Sequence, residues 1–391
     1  MPATTGSITL QQLFRYPYVL KVISRIKNAT CPFQNFYKLG LTDAASESVP
    51  AGMRTFAYDV FDHTRQLASV RAPKVGPKRG RSQKSGTNVG HVMRSHDSLP
   101  IAWEDIVNTR PHGARIGTLD RTGQNKVTMQ IKHYTEKYRN LREWMISRMF
   151  RGGFALKFNG DEVYLTDLGS GDKDISYGLP AAHKSQLAVG TSGANVIDGS
   201  WDDPTTDIVS QFLNLNKQAE RISGYPVTEV WINSTTLGKL MSNTDLQAKG
   251  GTAFRIWETF SRKEVKTTDG TSRMSGYDVT FRAIPWVNFH VNDSVLQKGS
   301  AQADSTTAAD SELLIPDNVA IMTPTPGEWV GFAEGAEPIT KTVTSPMEIV
   351  KGFTTWQRQM LEPSGLELCF LDNFFPVPYI PTAWFYSTVI F

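Results

Sequence analysis

Apolar residues recur through 122–150 at steps of four and three: Val127, Ile131, Tyr134, Tyr138, Leu141 and Met145. That spacing places them on one face of a long helix. Lys132, Glu136, Arg139, Asn140, Glu143 and Ser147 fall on the other face, where the pattern predicts solvent. At 1.5 Å per residue the helix would span ~40 Å, and Gly152 and Gly153 end it. A second helix follows "DDPTTD" (202–207), with Asp203 as the expected cap, Pro204 in the first turn and Gly224 as the stop. Its apolar stripe is Ile208, Phe212, Leu215, Ala219 and Ile222.

Elsewhere the pattern shortens to alternation. Residues 53–73 read as a strand that leads into a Gly, Ser and Lys/Arg-rich stretch, together a long β-hairpin with a basic tip. Residues 154–167 predict a second hairpin turning at Asn159-Gly160. Residues 227–233, 277–289, 318–333, 350–361, 366–371 and 383–390 read as strands, and 234–243 and 253–263 as short helices. Residues 8–27 begin as a short helix that breaks at Pro17, and 28–52 read as an irregular extended arm. Strands and helices interleave without a regular repeat, so the expected class is α+β.

The last 18 residues, "FFPVPYIPTAWFYSTVIF", carry no charge. That is about the length of a membrane helix. Pro376, Pro378 and Pro381 argue against a helix there, and the aromatic and β-branched ending suits a buried strand. No membrane association is expected, and the pattern leaves open which sheet receives the strand.

Composition narrows the function classes. Net charge is +3 over 391 residues, with none of the overall basicity of a nucleic-acid-binding domain. Cys31 and Cys369 are too few for a disulfide framework or a four-cysteine zinc site. The N-terminal sequence predicts no signal peptide, which makes the cytoplasm the expected place of synthesis. No phosphate-loop, dinucleotide or nucleophile-elbow motif occurs. "GSGDKD" and "GTNVG" lack the lysine or following helix of a phosphate site. His91 and His96 read as a solvated pair, and the carboxylates of 202–207 as helix-start residues. No catalytic, cofactor or metal residue is assigned.

One charge feature stands out. Arg65, Arg71, Lys74, Lys78, Arg79, Arg81, Lys84 and Arg94 lie between His63 and His96, without an Asp or Glu among them. A solvated loop, an inter-subunit contact and a nucleic-acid patch all remain open for this stretch. The last would lack aromatic interleaving.

The order of features is similar to that of tailed-phage major capsid proteins, and within them the chain resembles the lambda-type major capsid protein E family. The residues that carry the resemblance are collinear. They are "CPFQNFYKLGLTDAASESVPAGMRTFAYDVFDHTRQLASVRAP", "FNGDEVYLTDLGSGDKDISYGLP", "SWDDPTTDIVSQFLNLNKQAERISGYPVTEVWINSTTLGKLMSN", "ELLIPDNVAIMTPTPGEWVGFAEGAE" and "EPSGLELCFLDNFFPVPYIPTAWFYSTVI". The basic tip is long for that family, and 262–276 match nothing in it.

The resemblance implies the Hong Kong-type capsid fold. An N-terminal arm would cover 1–52, an extended loop 53–105 and a peripheral domain with a spine helix (122–150) 106–200. An axial domain would cover 201–345, with C-terminal strands (346–391) returning to these sheets. It implies self-assembly into homo-hexamers and homo-pentamers of an icosahedral virion head around double-stranded DNA. Scaffold, portal and decoration proteins would be further partners. The chain would not be an enzyme and would need no cofactor. Lys78, Arg79, Arg81 and Lys84 would sit at the loop tip and reach carboxylates of a neighbouring subunit. An encapsulin-like compartment shell and a DNA-binding protein using 63–96 are the alternatives.

Overall fold

The computed structural model describes residues 31–41, 43–61, 85–102, 121–159, 162–183, 196–250, 277–297, 311–340, 347–360 and 365–391. The expected arm segment 1–30, the loop tip with Lys78, Arg79, Arg81 and Lys84, and the short helix at 253–263 lie outside these residues.

In chain order the first elements are α1 (Pro32–Tyr37), β1 (Glu47–Val49), β2 (Thr55–Phe61), β3 (Ser85–His91), β4 (Met93–Ala102) and α2 (Arg121–Phe150). Then come β5 (Gly153–Asn159), β6 (Glu162–Asp167), β7 (Lys173–Ser176), α3 (Ile208–Ile222), β8 (Glu229–Ile232), α4 (Ser234–Ser242) and α5 (Thr244–Gly250). The rest are strands: β9 (Tyr277–Val279), β10 (Asn288–Val291), β11 (Val295–Gln297), β12 (Ser311–Leu313), β13 (Val319–Thr323) and β14 (Val330–Ile339), followed by β15 (Glu348–Lys351), β16 (Thr354–Met360), β17 (Gly365–Pro378) and β18 (Phe385–Thr388).

The chain divides into two compact units. The first gathers residues up to Phe56 with His91–Glu143 and Phe332–Phe375. Its six-stranded sheet runs β1-β14-β17-β16, with β15 also paired to β14 and β4 to β17. β17 is long, 14 residues, and pairs antiparallel with β4 from Gly365↔Ala102 to Phe374↔Met93. The second unit holds Ala57–Gly90, Trp144–Gly331 and Pro376–Phe391. Its main sheet has the order β18-β13-β8-β10-β9, beside a three-stranded sheet β6-β5-β7 and the pairs β2-β3 and β11-β12. Phe212, Leu215, Val230, Ile232, Leu237, Phe289, Met322 and Phe385 belong to one buried core joining α3 and α4 to that five-stranded sheet.

The charge-free ending thus has its place. β18 pairs antiparallel with β13, Val319↔Thr388 to Met322↔Phe385. Trp384 and Phe385 are fully buried, and the Trp384 indole N–H donates to the Phe150 carbonyl at 3.2 Å. No helix among the described residues is long and apolar enough to cross a membrane.

Several local expectations are corrected. Residues 28–52 are not irregular throughout. α1 forms at 32–37 and β1 pairs in parallel with β14, Glu47↔Ala333 to Val49↔Gly335. Cys31, Phe33, Leu39 and Val49 are buried, so this segment carries core residues. The stretch 318–333 is two strands in different sheets, because Pro324 and Pro326 offer no N–H to continue a ladder. Residues 277–289 likewise split into β9 and β10 around turns at Phe281–Ile284 and Ile284–Val287. Strand 350–361 breaks at Gly352, whose φ of +58° suits glycine. Asp207, not Asp203, caps α3, accepting the Ser210 N–H at 3.0 Å, while Asp203 closes a local turn onto Thr205. The register pairs Asn159 with Glu162, so Asn159 is still strand, and residues 160 and 161 lie outside the described residues.

Candidate functional site

The long helix α2 concentrates the buried polar chemistry. In the first unit Ile131 and Tyr138 of its apolar stripe are fully buried, and Tyr134 and Leu141 half-buried. The side chain of Val127 lies outside the described residues. Tyr134 stacks on Phe370 of β17 at 5.2 Å. The Tyr138 hydroxyl donates to the Phe370 carbonyl at 3.0 Å and accepts the Asp97 N–H of β4 at 2.9 Å. Burial, reinforced by Asp97, pushes the Tyr138 phenol well above its usual range.

Past Tyr138 most of the expected solvent face is covered. Lys132, Glu136 and Asn140 are exposed, but Arg139, Glu143 and Ser147 are buried, which corrects the sequence reading. For Arg139 and Glu143 the physical reason is segment 31–41, whose Gln34 side chain also donates to the Arg139 carbonyl at 2.6 Å; Ser147 instead donates to the Leu314 carbonyl at 2.9 Å. The Glu143 carboxylate accepts the N–H groups of Phe33 and Gln34 at 2.8 and 3.1 Å and the Gln34 side-chain amide at 3.1 Å. Those backbone donors begin α1, whose N-cap Cys31 makes no side-chain cap bond. Glu143 supplies that cap from outside. Burial raises its carboxyl to about 7, even though the three N–H contacts pull the other way.

Arg142 is fully buried and binds Asp372 of β17 by two parallel bonds, Nε to Oδ2 at 2.8 Å and Nη2 to Oδ1 at 2.6 Å. A third N–H donates to the Gly40 carbonyl at 2.9 Å, and Glu334 lies 3.7 Å away. The guanidinium also rests over the Phe374 ring, 4.4 Å from its centre. This bidentate geometry is what arginine's planar fork provides and lysine cannot.

The second unit has its own charged groups. Met145 of the stripe is buried here. Arg148 pairs with Asp167 and Glu312, and Arg151 with Glu312 at 2.8 Å. His290 sits between Glu229 and Asp278, 2.7 Å from each.

The remaining sequence candidates are absorbed structurally. "GTNVG" is part of β3, with no helix after it, and "GSGDKD" is a turn leading into β7. His96 stacks on Trp356 at 5.5 Å. Arg94 pairs with Glu337 at 3.3 Å, and Asp202 with Lys239 at 2.5 Å. A polar hollow of about 240 Å³ is lined by Asp198, Thr206, Asp207, Ser210, Gln211 and Asn214. Its carboxylates are already engaged by Gln211, Ser210 and Lys249. No group of three or more His, Cys, Asp or Glu among the described residues is arranged to hold a metal ion. Neither Cys31 nor Cys369 is in a disulfide, and both are buried. The basic hairpin is described only in its paired stems, β2 and β3, which expose Phe61 and Val89.

No protein-family model and no curated protein sequence matches the chain. Solved structures do. A protein assigned as the capsid protein of a prophage of E. coli CFT073 superposes with a TM-score of 0.50 at 12% identity, covering 96% of this chain and 98% of that one. A phage-related protein of Bordetella bronchiseptica RB50 gives 0.47 at 9% identity over 95% and 96%. The mature capsid of bacteriophage PhiM1 gives 0.41 at 12% identity over 88% and 84%. The correspondence is one of fold, and it runs through almost the whole chain: the α+β architecture is the Hong Kong-type phage capsid fold.

Proposed function

We propose that the chain is the major capsid protein of a tailed phage, self-assembling into hexamers and pentamers of an icosahedral head. The observation that carries this is the fold shared with the prophage capsid protein over 96% of this chain and 98% of that one. In this reading the parts are an arm (1–52), an extended loop (53–105), a peripheral domain (106–200), an axial domain (201–345) and returning C-terminal strands (346–391). Closed symmetry lets one surface serve every copy. The protein would reside in the virion shell, around double-stranded DNA, after synthesis in the host cytoplasm.

Negative-stain imaging of the purified chain tests the class: uniform closed shells are expected, and a chain that stays monomeric at high concentration overturns it. Nuclease-resistant DNA inside particles from infected cells separates a phage head from an encapsulin-like compartment. Within the same reading Lys78, Arg79, Arg81 and Lys84 contact carboxylates of a neighbouring subunit. Exposed pairs are worth only ~0–1 kcal/mol each, but a shell repeats them at every copy. Changing all four to Glu should leave the subunit folded and block closure of empty shells. Normal empty shells with poor genome retention would assign the stretch to DNA instead.

A further inference from the structure

In the five-stranded sheet of the second unit, β10 turns Phe289 and Val291 into the core. Side chains alternate along a strand, so His290 faces the other way. Its neighbours are set by register. β8 runs parallel to β10 and places Trp231 beside His290, and β9 runs antiparallel and places Asp278 on the other side. The ring lies on Trp231 with centroids 4.3 Å apart. Nε2 is 2.7 Å from Glu229 Oε2 and Nδ1 is 2.7 Å from Asp278 Oδ1.

A carboxylate offers only lone pairs, so each of these nitrogens must carry a proton to bond it. Only the imidazolium has both. In a neutral ring one nitrogen would point a lone pair at a carboxylate oxygen.

We propose that His290 is a proton-operated clasp, fastening edge strand β9 to the sheet while the ring is charged and releasing it when the proton leaves. β9 is three residues long and ends the strand order, joined to it through β10. So short a strand depends on its side-chain contacts. The described strands around the ring contribute these groups. β8 supplies Glu229 and the Trp231 ring, and β9 supplies Asp278. On β10 itself Asn288 donates to Glu229 Oε1 at 3.4 Å, and from β13 the Thr323 hydroxyl reaches the Glu229 carbonyl at 3.5 Å. Burial disfavours the charge, but the hydrogen bonds and charges of Asp278 and Glu229 outweigh it and raise the ring above its ordinary 6.5. Asp278 is 45% exposed, which gives water a route to the proton.

The sign follows from linkage. The folded ring holds its proton more tightly than the unfolded one, so its contribution is complete below about pH 6.5 and is lost as pH rises through the folded value. The experiment uses the full chain. The His290 ring is titrated by NMR, and hydrogen exchange of the β9 amides is followed from about pH 5.5 to 9 after correction for intrinsic rates. The ring should titrate above 6.5, and β9 protection should fall about tenfold per pH unit between the two values. In His290→Gln that pH dependence should vanish. Should that variant fail to fold, Asp278→Asn decides: the ring titration and the exchange window should move down together. A wild-type ring titrating at or below 6.5, β9 protection flat with pH, or a window unmoved in Asp278→Asn would each overturn the clasp.

Discussion

Arg142 and Arg148 stand six residues apart on the same helix, and both guanidinium groups are buried, at 0% and 2% exposure. Their partners are not alike. Arg142 binds Asp372, itself only 2% exposed, and is closed over by Phe374. Arg148 binds Asp167 and Glu312, which are 53% and 21% exposed, and lies over Trp144 at 4.8 Å. Burial of the cation is common to both, so it does not decide what the pair is worth. Burial of the carboxylate decides it. An exposed carboxylate that loses its arginine rehydrates, and a buried one keeps an uncompensated charge.

The largest effect expected is therefore at Arg142. Truncating one member of a buried pair typically costs ~3–5 kcal/mol, and here the Gly40 carbonyl also loses a donor. Arg142→Ala should lower the urea midpoint of the full chain sharply or abolish soluble protein. The double change Arg142→Met with Asp372→Leu removes both charges and should recover much of the loss. Arg142→Ala within ~1 kcal/mol of wild type would remove the contrast.

Glu143 sharpens the comparison, because it is buried with N–H donors for partners rather than a cation. Its carboxyl is raised from 4.5 to about 7 by burial. The native state thus holds a proton that the unfolded chain has released, and stability is greatest below about pH 4.5 and falls as pH rises toward 7. The span corresponds to on the order of 3 kcal/mol. Measuring melting temperature at pH 5, 6, 7 and 8 for wild type and Glu143→Gln isolates this group by difference. The wild type should lose stability relative to the variant as pH rises. Parallel profiles would show that the α1 donors hold the carboxylate charged at no cost.

These two residues also mark where the sequence stopped being informative. The period of α2 was legible in its apolar steps, and its end in Gly152, whose φ is +95°. The caps and stripe of α3 were nearly so. The Asp203 expectation missed the true cap, Asp207, by one turn, since either carboxylate satisfies the same local rule. The charged half of α2 was not legible. Periodicity reports the face that meets the first neighbour, and Arg139, Glu143 and Ser147 are covered by a second: α1 for Glu143, and for Ser147 the Leu314 carbonyl, 2.9 Å from its hydroxyl. Residues 31 and 143 are far apart in sequence, and no spacing rule connects them. Asp372 is the same case, an isolated carboxylate inside an apolar strand. Its position among Phe370, Leu371, Phe374 and Phe375 was the one available hint that it needs a buried cation. His290 was hidden for another reason: its partners arrive through strand register, which local sequence does not encode.

The smallest expected effect is at Arg148. Three features of its surroundings lower it relative to Arg142. Its carboxylates are wetter, so each pair is closer to the ~0–1 kcal/mol of an exposed bridge than to a buried one. Arg151 already reaches Glu312 and would keep it paired. Burial, and next Arg151, also depress the Arg148 guanidinium, so two cations share Glu312 while Asp167 serves Arg148 from its exposed position. What Arg148→Ala removes is chiefly the packing of the stem and the contact with Trp144. A loss of ~1–2 kcal/mol is expected, well under that of Arg142→Ala, with Glu136→Gln on the exposed face as a control within ~0.5 kcal/mol. Urea titrations of the three variants on one day, at one salt concentration, give the ranking. If Arg148→Ala matched Arg142→Ala, carboxylate exposure would not be what separates the two arginines, and the crowded Arg148–Glu312–Arg151 group would have to be treated as a single buried network.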